Sequence, residues 1–325
     1  MNDRGLKVLE QYDLEIISTR RGRGSYICET SQGLKLLCDF EGSEKKILFQ
    51  NKILRRLREA GYETVDMVLE NKEGKLVSMD RDENRYVVKD WYYGRECSPG
   101  GERDILEAVG NLARLHCLMR FPQEEEREYC GIPLKTELEA RTREMKKVRS
   151  FIRGREPKQP FERLFLQSFP VFYQQAQKVL EQAEQTGGEE AFGQQLLTGG
   201  VCHGDYSYHH VLFLDHGIAT TNFEKCRYDY QVQDLCQFMR KILEKQNWDL
   251  RMGEQMLNTY DRIRSLSGTE RKFLYLKLAY PEKFWKLANH YYGSRKAWIP
   301  ARYEQKLETL NEQEKQRNTF LKLLE

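Results

Sequence analysis

The chain has 325 residues, too many for one small domain and about right for one bilobal domain or two. Hydrophobic residues at 39% and aromatics at 11% supply a packed core, which excludes a disordered chain. Lys and Arg number 53 against 50 Asp and Glu, so no one-sided basic excess exists and nucleic acid is not an expected partner.

The opening "MNDRGLKVLEQYDLEII" has no basic region followed by an apolar run, so no signal peptide is expected. No apolar run approaches ~18 residues, so membrane insertion is not expected either. The eight cysteines are scattered, without a C-x-x-C pair or Cys/His metal spacing. They read as reduced, buried small hydrophobes in a soluble protein made inside the cell.

Residues 12–40 alternate and turn like a β-meander, with "SYICET" and "GLKLLCDF" as short strands on either side of "SQG". A helix follows over "SEKKILFQNKILRRLREAGY". Its apolar face is Ile47, Leu48, Ile53, Leu54 and Leu57, and Gly61 stands where a C-terminal cap is expected. "TVDMVLE" and "KLVSMD" read as two further strands split by "NKEG", and "RYVVKDWYYG" as another. The first ninety residues thus read β-β-β-α-β-β. From Glu102 the pattern turns helical, first over "RDILEAVGNLARLHCLM" and then over 136–186 with a break near "GREPKQP". "EQTGGEEAFG" reads as a loop, and "YQVQDLCQFMRKILEKQNW" opens another helix. The fold class is α+β: an antiparallel sheet-plus-helix lobe over 1–90 and a mostly helical lobe over 91–325.

The chemistry-bearing stretch is "VCHGDYSYHHVLFLDHGIATTNFEKC", residues 201–226. Phosphoryl transfer needs a carboxylate at the attacking hydroxyl, oxygen ligands for Mg²⁺ and a cation on the phosphates. Asp205 supplies the first, and Gly204 before it lets the backbone turn the carboxylate outward. A hydrogen-bonded loop pair of His203 and Asp205 without catalysis is the competing reading. The context favours a site, because a strand "VLFL", a turn "DHG", a second strand "IATTNFE" and a helix with an early Asp234 follow. His209, His210 and His216 do not make a metal triad, since two are adjacent and point to opposite faces of a strand.

These motifs resemble the aminoglycoside phosphotransferase and choline kinase group of the protein-kinase-like fold. Within it, the chain is most similar to the CotS-type spore coat protein family. The group pattern H-G-D-x-x-x-x-N, I-D-F-E and D-L-x-x-F stands here as "HGDYSYHHVLF", "TNFEKC" and "QDLCQFMRK". The coat-family likeness extends through "WYYGREC", "ERLFLQSFPVFYQQAQ" and "YPEKFWKLANHYYGSRKAW".

The resemblance implies Asp205 and His203 at the catalytic positions, His210 and Asn222 at the two metal positions, and Asp234 as a structural brace. It places the phosphate-gripping Lys at Cys38, while the nearby Lys35 lies an odd number of residues away and so on the opposite strand face. Gln50 falls at the position of the Glu that would pair with that Lys. Lys35, and Gly22 and Gly24 in "RRGRGSY", are weak cofactor-binding candidates, the glycines as an anion loop beside an ordinary hairpin reading.

A neutral amide at Asn222 and an imidazole at His210 are poor ligands for Mg²⁺, and a preorganised cation is typically worth ~3 kcal/mol of transition-state stabilisation. The expectation is therefore a coat-assembly scaffold with a degenerate phosphotransferase site. It would be made in the mother-cell cytoplasm and laid down on the spore coat with other coat proteins as partners, without nucleotide or metal. The alternative is an active kinase using ATP and Mg²⁺ on an alcohol group. Tyrosines and tryptophans of "KDWYYG" and "NHYYGSRKAW" are candidate contact anchors, set against ordinary packing. Nothing in the sequence fixes the oligomeric state.

Overall fold

The computed structural model describes residues 3–22, 24–121, 129–185, 188–293 and 301–324. Contacts divide the chain into two compact units: Met1–Arg120 with His203–Arg227, and Phe121–Cys202 with Tyr228–Glu325.

The first unit opens on a 3₁₀ helix, Asp3–Gln11, and continues through β1 (Ile16–Arg21), β2 (Ser25–Thr30), β3 (Gly33–Asp39) and α1 (Glu44–Glu59). After these come β4 (Ser78–Met79), β5 (Arg85–Asp90), β6 (Arg95–Glu96) and α2 (Glu102–Leu118). Its five-stranded antiparallel sheet has the order β1-β2-β3-β5-β4. Gly33 turns the β2–β3 hairpin at φ +88°, a conformation that only glycine adopts freely.

The pairing of β3 with β5 sets Lys35 opposite Asp90, Leu36 opposite Lys89 and Cys38 opposite Val87. Period-two alternation then gives the sheet two characters. Leu37 and Val88 face a core closed by Val8, Leu9 and Tyr12 of the opening helix. Val87 and Cys38 face Ile47 of α1 together with Val68, Leu76 and Val77.

Helix α1 begins where Ser43 accepts the Lys46 N–H at 3.2 Å, and it ends before Gly61 at φ +87°. Ile47, Ile53, Leu54 and Leu57 are buried as the periodicity requires, whereas Leu48 is exposed.

"TVDMVLE" does not form the expected strand. Its backbone bonds are split among different partners: Val65 bridges Thr220, the Leu69 N–H donates to the Val88 carbonyl, and Met67 accepts from Asp90. In "KLVSMD" only Ser78–Met79 is strand.

The second segment of this unit holds β8 (Val211–Phe213) and β9 (Ile218–Thr220), which join β6 in a three-stranded sheet ordered β6-β8-β9. The run expected as strand to Glu224 stops at Thr220. A 3₁₀ turn, Phe223–Lys225, follows, entered through Asn222 at φ +70°, where asparagine is among the most tolerant side chains.

The helical unit carries α3 (Leu134–Arg153), α4 (Pro160–Glu184), α5 (Gly188–Leu197) and the short β7 (Val201–Cys202). It continues with α6 (Val232–Leu243), α7 (Leu250–Ile263), α8 (Gly268–Ala279), α9 (Glu282–Gly293), α10 (Ala301–Glu312) and α11 (Glu314–Leu321). The remaining strand, β10 (Arg227–Tyr228), falls where the two units meet in sequence. Phe284 stacks between Phe165 at 4.7 Å and Phe172 at 4.6 Å, tying α9 to α4. Residues 188–193, expected in a loop because of paired glycines, lie in α5. "EEAFGQQLL" is rich in strong helix formers, and their summed propensity outweighs Gly188 and Gly193 within the helix. No helix among the described residues is long and apolar enough to cross a membrane.

Candidate functional site

The loop 203–210 is held by its own histidine. The His203 Nδ1 accepts the Asp205 N–H at 3.1 Å, so the proton sits on Nε2, which donates to the Thr221 carbonyl at 2.9 Å. The ring is fully buried and lies against Phe223, with centroids 4.4 Å apart. Through one side chain, the turn before Asp205 is tied to the end of β9. Gly204 is required between them. Its φ is +82°, and a Cβ there would lie 2.1 Å from the Lys225 carbonyl oxygen. Tyr206 anchors the loop from below, donating to the Ala108 carbonyl at 2.8 Å and accepting from the Asn111 amide at 3.2 Å.

The Asp205 carboxylate is engaged within the same segment. Lys225 Nζ stands 2.8 Å from its Oδ2. The His210 Nδ1–H donates to the Asp205 backbone carbonyl at 2.9 Å, with the Ser207 hydroxyl 3.3 Å away. Asn222 donates its backbone N–H to Asp66 Oδ2 at 2.8 Å. His209 pairs with Glu96 at 2.5 Å, and no cluster of three His, Cys, Asp or Glu suited to a metal exists among the described residues. An imidazole nitrogen bonded to a carbonyl, an uncharged amide and a carboxylate already on an ammonium do not form the anionic oxygen set that Mg²⁺ prefers.

On the sheet, Lys35 takes the face away from Cys38 and pairs with Asp90 Oδ1 at 2.7 Å, where Arg58 also bonds. Its Nζ further donates to the Gln32 carbonyl at 3.1 Å. Gly22 and Gly24 flank the β1–β2 turn. Gly22 donates to the Ser25 carbonyl at 2.8 Å and Gly24 has φ +69°, an ordinary hairpin arrangement. Gln50 is buried, and its Nε2 has no hydrogen-bond partner among the described residues. Burial pushes the Cys38 thiol up to about 11, so it stays a neutral apolar group. Asp234 is fully buried in the first turn of α6 and belongs to the helical unit.

Sequence reasoning missed the residue that carries the charge on the Cys38 face. Lys89 of β5 is 4% exposed, and its Nζ lies 2.5 Å from Glu224 Oε1 and 3.8 Å from Asp66 Oδ2. Burial alone would lower its pKa, but Asp66 and Glu224 outweigh that and hold the ammonium above its ordinary range. Asp66 is itself pushed up to about 6 by burial, against the pull of Lys89, and its Oδ1 has no hydrogen-bond partner among the described residues. Lys46 adds a bond to the Cys226 carbonyl from α1. The signal for Lys89 was present in "RYVVKDW", where a lysine interrupts an apolar strand and Asp66 likewise interrupts "TVDMVLE".

Of the proposed contact aromatics, Tyr93 and Tyr292 are exposed and Tyr291 is buried; Trp298 lies outside the described residues.

The family model described as Spore coat putative kinase YutH matches residues 6–324. Spore coat protein S of Bacillus subtilis (strain 168) is 21% identical over 313 residues, covering 94% of this chain and 87% of that protein. Among solved structures, an aminoglycoside phosphotransferase from Alicyclobacillus acidocaldarius superposes with a TM-score of 0.84 at 20% identity, covering 98% of this chain and 94% of that one. The amicoumacin kinase hAmiN, in complex with AMP-PNP, Ca²⁺ and Ami, gives 0.60 at 15% identity, covering 97% and 92%. These likenesses show the aminoglycoside phosphotransferase-like, kinase-like fold.

Proposed function

This chain belongs to the spore coat putative kinase YutH family, and we propose from that premise that it is a kinase-like scaffold of the endospore coat. In this reading its phosphotransferase loop no longer performs efficient phosphoryl transfer. The chain is made in the mother cell, is laid down on the coat, and has other coat proteins as partners. The observation that supports it most directly is the 2.8 Å pair between Lys225 and Asp205. A carboxylate that would accept a substrate hydroxyl proton is instead satisfied by a cation three residues past Asn222, and Asn222 and His210 supply no negative charge for a metal. His203, Gly204 and Tyr206 then act as loop-holding groups, which explains why the loop's shape survives without its metal positions.

A second reading, an ATP- and Mg²⁺-dependent kinase acting on an alcohol group, is favoured by one observation. Lys89 places a buried cation on the Cys38 face of the sheet. Melting of the purified protein with ATP, with and without Mg²⁺, separates the two. The scaffold reading expects no Mg²⁺-dependent stabilisation. A Mg²⁺-dependent rise that disappears in Asp205→Asn and Asn222→Ala would replace it with the kinase reading, and a metal-independent rise without turnover would make the scaffold a nucleotide binder. A fluorescent fusion imaged in sporulating cells tests the location, since signal that stays diffuse in the mother cell contradicts a coat role.

A further inference from the structure

Within the helical unit, a cavity of about 460 Å³ opens between the start of α3, the end of α4, α5 and the first turns of α8. The phosphotransferase-like loop plays no part in it. Its floor is aromatic: Tyr230 stacks on Phe273 with centroids 4.6 Å apart and meets Phe192 at 6.0 Å. Leu276 and Ala183 continue the apolar wall.

Three features give this apolar space a polar end. Tyr230 is 6% exposed and lines the cavity, yet its hydroxyl makes no hydrogen bond among the described residues. A group bound in the cavity can supply this phenol with an acceptor. Lys272 also lines the cavity. It rests on the Tyr275 ring at 5.1 Å and has no carboxylate partner among the described residues. Lys135, the other lysine there, is by contrast neutralised by Glu184 at 2.9 Å. Gly268 and Thr269 start α8, so their N–H groups lack intrahelical acceptors, and a Cβ built at Gly268 would meet nothing within 4 Å. Burial raises the pKa of the Tyr230 phenol, and Asp229 and Glu270 lie near enough to raise it further, but both carboxylates are engaged, Asp229 accepting the Tyr230 backbone N–H at 2.8 Å. Glu270 is spent on Arg264 at 2.6 Å and on the Ser267 N–H at 3.0 Å.

We propose that this cavity is a binding site for a small amphipathic carboxylate, with an aryl or alkyl body on the Phe192–Tyr230–Phe273 surface. Its anionic head accepts from the Tyr230 hydroxyl, Lys272 and the first turn of α8. The volume falls in the range of small-molecule sites, which pair a mostly apolar lining with a few convergent polar groups. Charge selects the class: the cation without a carboxylate partner and the helix start both favour an anion.

The test titrates the full-length protein with 4-phenylbutyrate and with its neutral amide, 4-phenylbutyramide, by calorimetry and saturation-transfer NMR. Saturable binding of the carboxylate at least tenfold tighter than the amide is expected. Lys272→Met should weaken the carboxylate about tenfold and leave the amide unchanged. Tyr230→Phe, which keeps the ring stack, should weaken it several-fold. Melting temperatures of both variants within a few degrees of wild type establish that they fold. Absence of saturable carboxylate binding, equal affinity for acid and amide, or indifference to both substitutions would each overturn the proposal.

Discussion

The Lys89 ammonium lies 2.5 Å from the Glu224 carboxylate and 3.8 Å from Asp66, joining β5 to the turn after β9. The two ends of this ion group differ in kind, because Asp66 is buried and Glu224 is half exposed. Removing the shared cation leaves a buried carboxylate uncompensated, which typically costs 3–5 kcal/mol. Lys89→Met is therefore expected to lower unfolding free energy by about 3 kcal/mol, while Glu224→Gln should cost less, because the Gln amide oxygen can still accept from the ammonium and Asp66 still compensates its charge. Urea unfolding checks both, and the double variant Asp66→Asn, Lys89→Met should recover part of the loss.

Asp66 also sets a pH dependence. An unfolded Asp titrates near 3.9, and burial raises Asp66 to about 6 in the folded chain. Folding thus takes up a proton between those values. The contribution of this group is fully present below about pH 4 and is lost as pH rises through 6. Asp66→Asn lacks that loss, so its stability relative to wild type should rise by on the order of 2 kcal/mol between pH 4 and pH 7. Carboxylates held below their ordinary range by cations, such as Glu244 and Glu270, act in the opposite direction but equally in both proteins. Denaturant midpoints of the pair across this range provide the measurement.

Gly204→Ala should be among the most damaging single changes in the loop. It combines a φ of +82° with a Cβ 2.1 Å from a backbone oxygen that cannot swing away as a side chain can. A loss of about 3 kcal/mol or more is expected. The melting temperature reports it, and an unchanged value would mean that the loop does not hold this backbone conformation.

His203→Ala removes both an acceptor for Asp205 N–H and a donor for the Thr221 carbonyl in a fully buried place. Leaving buried polar groups unpaired costs about 1–3 kcal/mol each. Amide exchange at Asp205 should quicken with the drop in stability, whatever the catalytic status of the loop.

Asp205→Asn is expected to change stability by less than about 1 kcal/mol, since its partner Lys225 is largely solvated. The variant is for that reason a clean probe of nucleotide effects. A large stability loss by urea unfolding would show that the Lys225 pair does more than satisfy the carboxylate.

Much of the frame was legible along the chain. The β2–β3 hairpin around Gly33, α1 between Ser43 and Gly61, and β8 followed by β9 all follow from residues within one or two turns of each other. Period-two alternation was enough to set Lys35 and Cys38 on opposite faces. The stretch at 64–70 was misread because its apolar alternation is real, while its backbone partners come from different parts of the unit. Residues 188–193 were misread because glycine marks a break only when the flanking helix formers are weak.

The sequence by itself determined the kinase-like family pattern, the positions His203, Asp205, His210 and Asn222, and the absence of a carboxylate at the last. Only the tertiary structure decided which cation stands on the Cys38 face, that Lys225 takes the Asp205 carboxylate, and that Tyr230 and Lys272 share one cavity. Lys89 and Glu224 are 135 positions apart. Periodicity and capping are set by neighbours within a few residues. The pairing of charges across such a distance is set by which groups the fold removes from water together, and that becomes defined only once the sheet register and the turn after β9 are in place.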